Sequence, residues 1–284
     1  MKKSILHVLA GRRKQITADE SVLQPLPHKD FRFANPFIVL HHAGPETIAP
    51  GSKQRIHPHP HRGFSPVTIV LQGEGYHMDN AGHSSIVKAG DVQWMFAGKG
   101  VLHSEGPSQK LLQQGGVNEF VQLWINVPKA SKMTDPFYQV ATREQMPRVL
   151  QQAGVTLYLA SGEYDGEKGP LKSFTPVIIA FGDVHPGTDV VFPATPGYWT
   201  LLYIIKGVAT VNEQTIPEHH LVVFEKENDT IELLAETDTQ VLFLSAEPID
   251  EPVAAKDNFV MNTQEEIEQA IADYQNGLFG TLEH

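Results

Sequence analysis

From about residue 36 to 127 the chain alternates short apolar runs with turn residues. Pro66–Leu71 leads into Gly73-Glu74-Gly75, Tyr76–Asp79 into Asn80-Ala81-Gly82, Ile86-Val87 into Lys88-Ala89-Gly90-Asp91, and Val92–Phe96 into Gly98-Lys99-Gly100. Val101–Glu105 and Glu119–Val127 complete the set. Short β-rich runs at regular spacing, without helical periodicity, predict an all-β sandwich or barrel. The texture returns at Val177–Phe181, Thr188–Phe192, Trp199–Ile205, Val208–Val211, Leu221–Phe224, Thr230–Leu234 and Gln240–Ser245. Between the two regions, Arg143–Ala153 reads as a short helix. Ser161–Lys172, rich in glycine and charge, reads as a loop.

Laying Gly73 on Gly207 brings Gly63-Phe64 onto Gly197-Tyr198 and Val67–Leu71 onto Leu201–Ile205. This register over one strand pair suggests one barrel built twice, although strand texture alone does not separate two barrels from one large sandwich. The tail differs. Thr263-Gln264-Glu265-Glu266 has capping-box spacing, and Ile267, Ala270, Ile271 and Tyr274 form one apolar helical stripe before Gly277. The expected division is 1–145, 146–256 and a tail with its helix over 257–284.

A chain of 284 residues can bury two ordinary cores. It has no cysteine, so any metal must be held by nitrogen and oxygen ligands. The net charge of −11 argues against direct nucleic-acid contact. No apolar run is long enough to span a bilayer. The apolar stretch Ile5–Ala10 leads into Gly11-Arg12-Arg13-Lys14, not a cleavage site, so a cytoplasmic location is expected.

Histidine is the informative excess: ten of 14 precede residue 104. In an extended segment, positions i and i+2 share a face. His57-Pro58-His59-Pro60-His61 can therefore aim its imidazoles one way, and the prolines place it at a sheet edge. His103-Ser104-Glu105 has the same spacing. Two such strands side by side bring imidazoles and a carboxylate together, a set suited to a divalent transition ion: Fe, Ni, Cu, Mn, Co or Zn. Spacing does not choose between His57/His59 and His59/His61. His41-His42 and His219-His220 are adjacent pairs that face opposite ways, although either of His41 and His42 could approach the site. His77 and His83 flank the turn at Asn80–Gly82 and read as solvated.

His59-Pro60-His61-Arg62-Gly63-Phe64, Gly90–Met95, Ala97–Glu105, Gln122–Asn126 and Phe259–Thr263 together resemble the pirin family of the cupin superfamily. The likeness runs from about Phe31 to Gly280. It implies two jelly-roll barrels in tandem with a short C-terminal α-helix. It also implies one metal, iron first among the candidates, held by His59, His61, His103 and Glu105, with His57 left out. Ser65 stands where many pirins carry an acidic residue. In the second half, Pro193 and Thr195 fall in the slots of His59 and His61, and Ile231 and Leu233 near those of His103 and Glu105, so no second metal is expected. The resemblance implies cleavage of a flavonol such as quercetin by dioxygen, with Glu105 as catalytic proton acceptor for a small aromatic substrate. The alternative it leaves is a non-enzymatic, redox-sensitive metalloprotein that binds a protein partner.

Overall fold

The structure is a computed structural model that describes residues 1–16 and 21–283. Strands dominate, with two α-helices among the described residues: α1 (Gln109–Gln114) and α2 (Gln264–Gln275). The chain forms two compact units. One comprises residues 14–22, 37–142 and 249–284; the other comprises 1–13, 23–36 and 143–248. Both units are discontinuous, unlike the contiguous blocks expected from the sequence. Ile5–Ala10 pairs with His220–Phe224, and Arg62 bridges to Phe259.

In the first unit, a four-stranded sheet runs in the spatial order Ile56–His61, Val101–Pro107, Glu74–Asp79, Ser84–Lys88. A larger sheet runs through Phe137–Ala141, Val92–Phe96, Phe64–Gln72, Gly116–Asn126 and Phe37–Ile48. The pairings within the four-stranded sheet, and those from Phe137–Ala141 through Phe37–Ile48, are antiparallel. The strand carrying Pro58 and Pro60 lies at a sheet edge, as expected of residues that cannot donate to a second neighbour.

The second unit repeats the arrangement. Its four-stranded sheet runs Asp189–Pro193, Thr230–Ala235, Val208–Val211, Gln214–Pro217. Its seven-stranded sheet has Ile5–Ala10 at one edge, where the first unit has Phe137–Ala141. The internal repeat expected from Gly73 and Gly207 is therefore a repeat of whole sheets. Alternation fills this interior with carbon: Val190, Phe192, Ile231, Leu233 and Phe243 are each at most 2% exposed. Pro193 and Thr195 are exposed instead, so the inward positions beside Ile231 and Leu233 belong to Val190 and Phe192. No metal-ligand cluster is found in this unit among the described residues.

Two local expectations fail for physical reasons. Arg143–Ala153 holds only a 3-10 turn, Arg143–Gln145, followed by the short strand Arg148–Val149, because Pro147 cannot continue a helix. Ser161–Lys172 contains a small hairpin, Glu163–Tyr164 with Glu167–Lys168. The tail helix is as expected. Thr263 and Glu266 form a reciprocal capping box, and Ile267 and Ala270 are buried. Tyr274, by contrast, is 39% exposed.

Candidate metal centre

The site is built on the first unit's four-stranded sheet. His59 and His103 are direct cross-strand partners. His61 lies two residues along the same strand as His59, on the same face. Between His103 and Glu105 the register shifts, so Glu105 pairs with Ile56 rather than His57. The extra residue bulges out of the edge strand and leaves His57 exposed. The close cluster accordingly contains His59 and His61 and not His57. The atoms that His59, His61 and His103 can offer a metal lie within 4.8 Å of one another. Their ring centroids are 4.3 Å (His59–His103), 4.8 Å (His61–His103) and 4.9 Å (His59–His61) apart.

Hydrogen bonds decide which nitrogens are free. His59 Nδ1 lies 2.9 Å from the His57 carbonyl and His61 Nδ1 lies 3.2 Å from the Asn258 carbonyl. A carbonyl only accepts, so each Nδ1 donates and each Nε2 keeps its lone pair. His103 is 1% exposed, and neither of its ring nitrogens has a hydrogen-bond partner among the described residues. A buried imidazole with two unpaired nitrogens is costly unless a ligand takes one of them. Burial holds the pKa values of both His61 and His103 well below 6.5, with neighbouring imidazoles adding to the effect. Both rings therefore stay neutral at pH 7 and can donate lone pairs. This set fits a divalent transition ion.

Glu105 is outside the tight histidine cluster. Its Oε1 accepts a 2.9 Å hydrogen bond from Gln122 Nε2, and both side chains line the same cavity as His59 and His61. Gln122 also accepts from Trp124 Nε1 at 3.3 Å. The cavity measures about 1230 Å³ and runs between the two sheets of the unit. Trp124 packs edge-on to His61, with centroids 5.7 Å apart. His41 reaches the cavity as well, and burial, with a smaller contribution from Lys14, lowers its pKa to about 3.

His77 is a correction to the sequence reading. It is 1% exposed, not solvated. Its Nε2 bonds Asp79 at 3.0 Å, its ring stacks on Tyr138 at 4.2 Å, and it lies 5.4 Å from His103. Burial pulls the Asp79 carboxyl upward, but hydrogen bonds from His77 and His83 prevail and hold it below its ordinary value. Gln122 and Asn258 were also not singled out as site residues. Gln122 carries a signal, since Gln122 and Trp124 alternate on one strand face. Asn258 carries none, because its bond to His61 spans 197 residues.

A family model described as Pirin matches residues 16–125, and one described as the Pirin C-terminal cupin domain matches residues 181–280. Pirin-1 of Arabidopsis thaliana is 39% identical over 230 residues, covering 78% of this chain and 77% of that protein. A Pseudomonas aeruginosa protein provisionally named a quercetin 2,3-dioxygenase is 37% identical over 247 residues, 86% of each chain. A crystal structure titled quercetin 2,3-dioxygenase, from Acinetobacter baumannii, superposes with a TM-score of 0.93 at 34% identity over 100% of both chains. With its doubled all-β cupin architecture and its histidine cluster, the chain belongs to the pirin family.

Proposed function

We propose that the protein is a metal-dependent dioxygenase that opens the heterocycle of a flavonol such as quercetin. The observation that carries this reading is the convergence of three imidazoles beside a cavity that also presents Glu105, Gln122 and Trp124. The names borne by the Pseudomonas and Acinetobacter relatives support it.

His59, His61 and His103 would hold the ion, with Glu105 as the fourth ligand. A bound divalent ion, iron first among the candidates, supplies Lewis acidity toward an enolic hydroxyl and a meeting point for that substrate and dioxygen. The chain's residues do the rest. Glu105 accepts the proton of the substrate's enolic hydroxyl, and Gln122 holds the carboxylate in position through its Nε2. Trp124 and Phe120 give the cavity wall aromatic surface for a planar ring system. At about 1230 Å³ the cavity exceeds the ~300–1,000 Å³ of ordinary small-molecule sites, so a fused-ring aromatic fits with room for water. Holding both reactants against one centre replaces a bimolecular encounter with an oriented one.

The test is oxygen uptake by the metal-loaded protein with a flavonol panel. Turnover in air, its loss under anaerobic conditions and its loss in Glu105→Gln are expected. Loaded protein that leaves quercetin untouched in air contradicts the assignment.

A further inference from the structure

The three imidazoles are oriented by different means. His59 is fixed locally by the carbonyl of His57. His103 has no hydrogen-bond partner among the described residues. His61 is fixed from the far end of the chain. Its Nδ1 meets the carbonyl of Asn258, in the turn between Ala254–Lys256 and Phe259–Met261. Asp257 and Asn258 also line the cavity.

This turn is held against the histidine strand by anchors at consecutive residues. The Val260 N–H donates to the Arg62 carbonyl at 3.1 Å. The Arg62 guanidinium donates to the Lys99 carbonyl at 2.7 Å and to Asp273 of α2 at 2.6 Å, and lies over the Phe279 ring at 4.6 Å. Buried Lys132 joins the carbonyls of Gly63 and Val260, at 2.7 and 3.0 Å. Gly63, at φ +83°, has no room for a Cβ, which would run into the Val260 carbonyl. Residues 61, 62 and 63 are thus each tied to the tail. A tail that merely covered the barrel would not need a carbonyl aimed at a ring nitrogen.

We infer that the C-terminal hairpin is a positioning element of the metal site: the Asn258 carbonyl holds His61 as its Nδ1–H tautomer, with Nε2 turned toward the ion. This rests on the metal-site reading above. Partners of this kind on metal-ligating histidines typically change ion affinity by about 10–100-fold.

Asp257 supplies a local test, because its φ of +51° is closed to proline and open to glycine. Asp257→Pro moves the turn and leaves the anchors at Arg62 and Lys132 in the chain. Asp257→Gly removes the same side chain and keeps the turn. Ion affinity of the full-length variants is read by chelator competition, with circular dichroism to establish folding. Asp257→Pro is expected to weaken affinity about tenfold or more, and Asp257→Gly to leave it within about twofold. A folded Asp257→Pro protein that binds as tightly as the parent overturns the inference. If that variant does not fold, ¹⁵N NMR of the ion-free parent decides: His61 protonated at Nδ1 supports the inference, and at Nε2 overturns it. Should the parent bind no ion, the site reading fails, while the NMR result still decides the role of the hairpin.

Discussion

His103→Leu separates what the site does for folding from what it does for ligand binding. The side chain is 1% exposed and neither ring nitrogen has a hydrogen-bond partner among the described residues. Leucine fills a similar volume with carbon, so the cavity penalty is small, whereas a buried unpaired polar group costs about 1–3 kcal/mol. In chelator, His103→Leu is therefore expected to be more stable than the parent by about 1–3 kcal/mol. An ion that binds only the folded parent reverses the order. At a thousand times its Kd it adds about 4 kcal/mol, and the variant gains nothing because one of three converging ligands is gone. The assay is urea denaturation of both proteins, in chelator and with saturating ion, at constant m-value. A variant less stable than the parent in chelator refutes the idea that His103 is kept for a ligand at a cost to folding. So does a parent whose midpoint ignores the ion.

Three further outcomes follow from the same structure. Gln122→Leu, which removes the donor to Glu105, is expected to lower kcat/KM by about 10–100-fold without changing ion content; an unchanged rate contradicts the positioning role. Phe243 is 0% exposed and stacks on Tyr164 and Phe192 at 5.2 Å each, so Phe243→Ala is expected to cost about 3–5 kcal/mol in the second unit. Ion affinity should be unaffected by it, and an unshifted denaturation midpoint would speak against that core. His41 has a folded pKa of about 3 against an ordinary 6.5, so between these values the unfolded chain binds a proton that the folded one refuses. Stability therefore falls as pH drops from 6.5 toward 3, by up to about 1.4 kcal/mol per unit from this group. In chelator His41→Gln should show a shallower slope, and equal slopes contradict it.

The parts of the fold legible in the sequence were those written in short-range spacing. His59 and His61 at i, i+2, with Pro60 between, announced an edge strand with both imidazoles on one face. In the second unit the apolar alternation was readable, although the side chains beside Ile231 and Leu233 are Val190 and Phe192, one position away from the expected slots. What the sequence hid depends on distant contacts or on competing local signals. His77 sits beside a turn and looked solvated, but it is sealed by Tyr138 from another sheet. Met146 and Val149 have the spacing of a helical stripe, yet Pro147 between them prevents one, and both are buried without forming a helix. Helix α1 escaped notice because six residues capped by Ser108 carry too short a pattern. The bulge that leaves His57 exposed is a matter of strand register, which the motif alone does not encode.

The central claim is that His59, His61 and His103 hold one transition ion in the first unit. Its most direct measurement is the metal content, by elemental mass spectrometry, of the reconstituted and exhaustively dialysed protein beside a His59→Ala/His61→Ala double variant. One ion per chain in the parent, falling to background in the folded variant, is predicted. A parent that retains no ion, or a variant that retains as much as the parent, contradicts the account.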